Sequence, residues 1–250
     1  MPGYSRAFAQ AYQLRWGGFA RQVTPRLLDF YAQTSAGQQR LPVLDLCCGT
    51  GLVAQGFLEH GYSVTGLDLS PHMLAYARQN CADFTGQAQF VLADAAEFAF
   101  APHFGLALST YDALNHLPDQ RALQSCLRSA AAAVVPGGWF IFDLNTRLGL
   151  RRWNLTSVDD SDETLVISRS SFDGTGERAL VNITGFLRQP DGRWERFDES
   201  VTNTIFNIQT VLWLLLNQGW ASAQAARLAD LPTPLAEPEQ EGRVFVVAQR

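Results

Sequence analysis

The chain has no lysine: all nineteen of its lysine-plus-arginine residues are arginine. That excludes a lysine general base, a Schiff-base enzyme and the lysine of a phosphate-binding P-loop in one step. Cysteine is scarce as well. Cys47, Cys48, Cys81 and Cys126 fall as one adjacent pair and two singles, which fits neither a zinc spacing nor a disulfide framework. Their apolar surroundings make them buried free thiols of an intracellular protein, there for packing. Positive charge never accumulates beyond Arg151–Arg152, and the formal net charge is −5. A nucleic-acid partner needs a basic footprint to neutralise phosphates, so none is expected. The longest apolar run, "VLWLLL" at Val211–Leu216, is too short to cross a bilayer, and the first residues lack a signal-peptide pattern. The expectation is a cytoplasmic protein with no membrane partner.

What is present is alternation. "LPVLDLC", "YSVTGLDLS", "AQFVLADA", "FGLALST" and "WFIFDLN" predict five strands. "GLVAQGFLEHG", "SPHMLAYARQNC" and "PDQRALQSCLRSAAAAVVPGG" predict helices between them, the second with Ser70 as N-cap and Pro71 at its first position. Such alternation predicts a parallel sheet with helices on both faces. After Asn145 the pattern turns to polar/apolar alternation, with "DGTGE" and "PDGR" as hairpin turns. A helix, "NIQTVLWLLLNQG", and two strands, "WASAQAARLAD" and "RVFVVAQR", complete the chain. Trp213 is expected to face the sheet, and residues 231–242 to form a mobile surface loop.

The predicted fold is α/β: a Rossmann-like, seven-stranded, mostly parallel sheet with an inserted antiparallel β meander. The core is assigned to 41–146 and 207–250, the insert to 147–206, and a helical lid to 1–40. In that lid Tyr4, Phe8, Tyr12, Trp16 and Phe19 recur at helical spacing. The stripe suits core packing and a cover over a ligand equally well, so Tyr12 and Trp16 are candidate ligand contacts. The insert aromatics Phe172, Phe186, Trp194, Phe197 and Phe206 line an acceptor pocket, build the insert's own core or form a homodimer surface.

The chemistry centres on "VLDLCCGTG", Val43–Gly51. Gly49, Gly51 and Ala54 match a loose dinucleotide-binding pattern, and Asp68, ending the second strand, suits ribose hydroxyls in any such site. Asp45 discriminates. A carboxylate beside the turn repels a pyrophosphate and suits a ligand carrying an ammonium and a sulfonium. With "GLDLSPHMLAYAR", "LADA" (Leu92–Ala95) and "FGLALSTYDALNHL" in order, Leu41–Leu144 resembles the class I S-adenosylmethionine-dependent methyltransferases. More loosely, the insert and N-terminal aromatics resemble the small-molecule N-methyltransferase branch.

The resemblance implies S-adenosylmethionine as cofactor, S-adenosylhomocysteine as product and a small-molecule acceptor. It implies that Gly49 and Gly51 pass close to the methionyl part and that Asp45 favours its ammonium. Asp68 would accept from the ribose, Leu69 and Met73 cover the adenine, and Asp94 and the Ala95 N–H meet adenine nitrogens. Ser109 and Tyr111 would lie where cofactor and acceptor meet. Candidate bases are His116, Tyr111, Asp198 and Glu199, with a structural role for His116 weighed beside the chemical one. The chain lacks an N/D-P-P-Y/F motif, a Pro-Cys pair and a magnesium-type acidic cluster, which points to a metal-independent enzyme acting on a small molecule. With the resemblance to the N-methyltransferase branch, nitrogen is favoured over oxygen. An O-methyltransferase, a nicotinamide-dependent oxidoreductase and a non-catalytic cofactor-binding module stay open.

Overall fold

The five apolar runs become β1 (Val43–Leu46), β2 (Val64–Asp68), β3 (Ala88–Leu92), β4 (Phe104–Ser109) and β5 (Val134–Asn145) in a computed structural model that describes residues 4–250. Residues 1–3 of the lid lie outside that range. Ahead of β1 come α1 (Arg6–Arg15), α2 (Gly17–Gln33) and α3 (Ser35–Gln38). Between the strands lie α4 (Leu52–Glu59), α5 (Pro71–Asn80) and α6 (Gln120–Ala133). The chain continues through α7 (Arg147–Arg151), β6 (Thr156–Asp160), β7 (Thr164–Ser171), β8 (Arg178–Arg188), β9 (Trp194–Thr204), α8 (Ile208–Leu216), β10 (Ser222–Ala226) and β11 (Arg243–Gln249).

The main sheet has the order β10-β11-β5-β4-β1-β2-β3. Its strands run parallel except β11, which is antiparallel to both neighbours. β1 and β4 are buried at every residue, as expected of central strands covered on both faces. Successive side chains serve opposite layers. Leu44, Phe140 and Phe142 pack with Leu127 of α6 and Leu214 of α8. Val43, Leu108 and Ile141 pack with Leu27 of α2 and Phe57 of α4 on the other face. Each such side chain, fully buried, contributes about 1.5–3 kcal/mol. β1 pairs β2 on one side and β4 on the other. The connections therefore diverge there and leave a crevice at the carboxyl ends, where open α/β sheets bind ligands.

The insert is a separate four-stranded antiparallel sheet, β6-β7-β8-β9. Its first strand and α7 were not legible, because β6 is exposed at all five residues and carries no apolar alternation. The insert aromatics do not share a face. Phe197 points at α1, within 6.1 Å of Phe8. Phe186 lies on the other face from buried Ile183 and Leu187, Trp194 is exposed, Phe172 packs against Leu150, and Phe206 joins the main core.

Two expectations are corrected. Trp213 is 61% exposed: α8 is apolar nearly all round, and it turns Val211, Leu214 and Leu215 inward instead. Residues 231–242 are pinned rather than mobile. Gln224 Nε2 donates to the carbonyls of Leu231 and Pro232, the Leu235 N–H bonds Ala225, and Leu231 is buried.

Candidate active site

β1 ends in a turn of strained backbone. Cys47, Gly49 and Gly51 all have positive φ, at 58°, 54° and 75°. A Cβ on Gly51 would stand 2.9 Å from that of Ala77, so glycine is needed there both for its conformation and for the approach of α5. A Cβ on Gly49 would meet only Tyr12, at 3.9 Å, so bare backbone borders the crevice. Asp45, on β1 itself, is 2% exposed. One N–H, from Ala54, reaches its carboxylate, while burial and then the charge of Asp68 push its pKa up to about 8. Its Oδ2 has no partner, nor do the buried hydroxyls of Thr50 and Ser109. Burial pushes the thiols of Cys47 and Cys48 well up, so both are protonated at neutral pH and neither is a thiolate nucleophile.

Asp68 ties the turn to the end of β2. Its Oδ2 accepts the Gly49 N–H at 2.9 Å and its Oδ1 the Ser70 N–H at 2.8 Å. Burial raises its pKa, opposed by the N–H groups of Ser70, Gly49 and Leu69. Each oxygen keeps a further lone pair for a ligand. Ser70 caps α5 as expected, its hydroxyl accepting from Met73 N. Leu69 is 40% exposed beside the crevice. Met73 is 1% exposed and packs with Phe8, Ile183 and Phe197, on the α5 face turned to α1 and the insert. Asp94 is exposed and spends Oδ1 on the Ala96 N–H, while Ala95 beside it is buried.

At the end of β4 the chain makes two consecutive left-handed residues, Tyr111 (φ 66°) and Asp112 (φ 49°). Such residues persist only where their surroundings over-determine them. Here the Asp112 N–H donates to Asp143 Oδ2 at 2.9 Å, and the Tyr111 N–H also reaches that carboxylate. Arg243 bonds Asp112 at 2.7 Å and Asp143. Its guanidinium lies 4.8 Å from the Phe19 ring centroid and 5.8 Å from that of Tyr111. Phe19 and Tyr111 are themselves stacked at 4.6 Å. Burial raises Asp143 to about 6 although Arg243 pulls it down. Asp112, Asp143, Arg243 and Phe19 were missed as site residues. An acid closing the fifth strand was a readable signal for Asp143; nothing local pointed to Arg243, which opens the last strand.

α1 closes the crevice from above. Tyr12 stacks on Trp16 at 5.7 Å and lies 6.4 Å from Tyr111, and both line a residual cavity of about 40 Å³ together with Asp45, Gly49 and Tyr111. Gln13 and Asn80 exchange two side-chain hydrogen bonds, the Ser5 N–H donates to Glu199 Oε1 at 3.0 Å, and Arg15 bonds Asp159. The aromatic stripe breaks at Trp16, between two helices.

The expected bases part company. Asp198 is exposed and paired with Arg196, on the face turned away from α1. Glu199 faces α1. His116 Nδ1 is 3.1 Å from the Thr202 carbonyl. A carbonyl only accepts, so Nδ1 donates its N–H to it. Next to it, buried Asn115 bonds the carbonyls of Asn145 and Thr204 and the Asn145 N–H, which fastens the insert to the core.

Comparison with known proteins bears on the fold and on the segment that carries the glycine turn. Residues 43–138 match the model of a methyltransferase domain family. Over 210 residues, 83% of either chain, the protein is 27% identical to YqeM of Bacillus subtilis (strain 168), itself a candidate methyltransferase. It is 32% identical over half of either chain to a ubiquinone biosynthesis O-methyltransferase of Alkalilimnicola ehrlichii. Its fold matches an S-adenosylmethionine-dependent methyltransferase from Clostridium acetobutylicum with TM-score 0.78, covering 97% of each chain at 19% identity. It also matches the amino pentose methyltransferase CalS10 of Micromonospora echinaspora with TM-score 0.70, covering 99% and 98% at 18% identity. The fold is that of these S-adenosylmethionine-dependent methyltransferases, and residues 43–138 match the methyltransferase domain.

Proposed function

We propose that the protein uses S-adenosylmethionine to methylate a small molecule, with an amine nitrogen as acceptor. The observation that carries this is a pair of carboxylates, Asp45 buried and Asp68 partly buried, with acceptor capacity left over at the ends of adjacent parallel strands beside bare glycine backbone. Asp45 Oδ2 and the Thr50 hydroxyl, both unpartnered, suit an ammonium and a carboxylate respectively. The remaining lone pairs of Asp68 suit two ribose hydroxyls through charge-assisted bonds. Leu69 and the Asp94–Ala95 backbone suit an adenine, and Tyr12, Trp16 and Ser109 close the site. When bound, the cofactor supplies an electrophilic methyl on a positive sulfur whose leaving group is a neutral thioether. The chain's own task is then alignment, with water excluded. Tyr111 and α1 supply the walls, and His116 Nε2 takes the proton that an ammonium acceptor must lose.

Nitrogen is favoured over oxygen by charge. Burial first, and then the charges of Asp68, Asp112 and Glu199, hold the proton on the Tyr4 hydroxyl, and Arg243 nearby is already committed to Asp112 and Asp143. Such a crevice favours a cationic acceptor over an anionic phenolate. An oxygen acceptor is the second reading, supported by the ubiquinone O-methyltransferase relative. A screen of amines and phenols with radiolabelled S-adenosylmethionine decides between them. Calorimetry with S-adenosylhomocysteine and NAD tests the cofactor: the first is expected to bind and the second not to, and NAD binding alone overturns the reading. Asp68→Ala is expected to weaken S-adenosylhomocysteine binding by about 2–4 kcal/mol; unchanged affinity refutes the ribose role.

A further inference from the structure

The larger cavity is not the one over the glycine turn. A cleft of about 760 Å³ follows the seam between the insert and the starts of α6, α7 and α8, a volume typical of small-molecule sites. Arg147, Arg151 and Arg178 line it. Among the described residues none of the three forms an ion pair with a carboxylate. They hold carbonyls instead. Arg147 Nη1 and Arg151 Nη2 both donate to Gly174 O, at 3.3 and 3.4 Å, Arg147 also to Gly176 O, and Arg178 to Pro118 O at 2.7 Å. Two guanidiniums on one carbonyl lie within about 7 Å of each other and repel, since a carbonyl dipole does not neutralise two charges.

The carboxylates nearby are mostly engaged elsewhere. Asp119 Oδ1 caps α6 through the Ala122 N–H, Glu239 Oε1 takes the Ile208 N–H at the start of α8, and Asp173 Oδ1 takes the N–H groups of Thr175 and Gly176 while its charge also reaches Arg147. Glu177 is the remaining acid in the lining. The positive ends of α6 and α8 open into the same space.

We propose that this cleft binds an oxyanion, the phosphate or carboxylate group of a small molecule. Its place bears on the transfer proposed above, and that part rests on the methyltransferase reading. Pro118 is two residues from His116, and Thr204 two from Thr202, whose carbonyl His116 holds. Two residues of chain span at most about 7 Å, so the cleft lies close to His116, and the anionic group of an acceptor held there is the occupant this reading assigns to it. A separate anion is the other source of the same chemistry.

The test is calorimetry of the full chain with inorganic pyrophosphate at low ionic strength, where screening is weak. Saturable binding is expected, weakened about tenfold or more in Arg151→Gln/Arg178→Gln and tightened severalfold in Glu177→Gln, as charge-assisted contacts are removed and a repulsion relieved. All three side chains belong to exposed residues, and an unchanged melting curve checks that the variants fold. No saturable binding, or equal binding by the double variant, overturns the proposal. S-adenosylhomocysteine is titrated alongside. If it fails to bind while pyrophosphate follows this pattern, the methyltransferase reading falls and the anion cleft stands. With an acceptor in hand, competition between pyrophosphate and acceptor assigns the cleft to the acceptor's own anionic group. Binding without competition assigns it to a separate anion.

Discussion

A carboxyl that is 2% exposed and faces a second carboxylate holds on to its proton. For Asp45, at about 8, the folded value lies above the unfolded one, so the native state binds the extra proton between about pH 4 and pH 8. Stability from this group is complete below pH 4 and lost as pH rises through 8. Asp45→Asn keeps an acceptor for the Ala54 N–H and abolishes the titration. Thermal melts across that range should show the variant gaining on the wild type as pH rises, with the two converging near pH 4. The same variant should bind S-adenosylhomocysteine more weakly by about 1–3 kcal/mol, because an ammonium prefers an ionised partner. Equal affinity removes Asp45 from the ammonium role. The twin cysteines belong to the same turn, but Cys48 lies 2.9 Å from where a Cβ on Gly66 would stand, and its business is filling space.

α1 is an element with a conflict built into it. Its aromatic face is satisfied only against the insert and the glycine turn, yet it leaves about 40 Å³ beneath, against the roughly 300–1,000 Å³ that small-molecule sites occupy. As a lid, α1 would lift to admit a nucleoside-sized ligand, with Trp16, between two helices, and Gly17–Gly18 as the proposed joint. The ties to be broken are the packing of Phe8, Ala9 and Ala11 on Met73, Ile183 and Phe197 and three polar links, Gln13 to Asn80, Ser5 to Glu199 and Arg15 to Asp159. Hydrogen exchange should therefore be faster in Arg6–Arg15 than in α4 in the ligand-free protein, and slow markedly with S-adenosylhomocysteine. Identical protection with and without it would falsify the lid. The aromatic spacing announced that this segment has a face. It did not say whether the face meets core or ligand, because both partners are apolar and the period is the same.

On the scale of the whole molecule, Arg243 closes the site from more than a hundred residues away in sequence. It pairs with both Asp112 and Asp143, which are 7% and 0% exposed at their side chains. Removing one partner of a buried ion pair leaves the other charge uncompensated, at a cost of about 3–5 kcal/mol. Arg243→Met should lose that much in chemical denaturation at pH 8. The loss should shrink toward pH 5, where Asp143, already raised to about 6 and raised further without the arginine, is neutral. A loss independent of pH would show that packing on Phe19 and Tyr111, rather than charge, is what Arg243 provides.

The sequence by itself determined the layered α/β core, the glycine turn and its two acids. Those depend on local signals: apolar runs of strand length, an N-cap at Ser70, and acids spaced one strand apart. It left undetermined which face Trp213 takes on a helix apolar all round, and where strand β6, exposed throughout, begins. Tertiary structure alone decided which side chains meet. It buried Met73 under α1, set Asp198 on the outer face of the insert, gave His116 a carbonyl that fixes its hydrogen on Nδ1, and brought Arg243 to Asp112 and Asp143. Partners of this kind are joined by sheet order and by the docking of the insert, and no local periodicity encodes either.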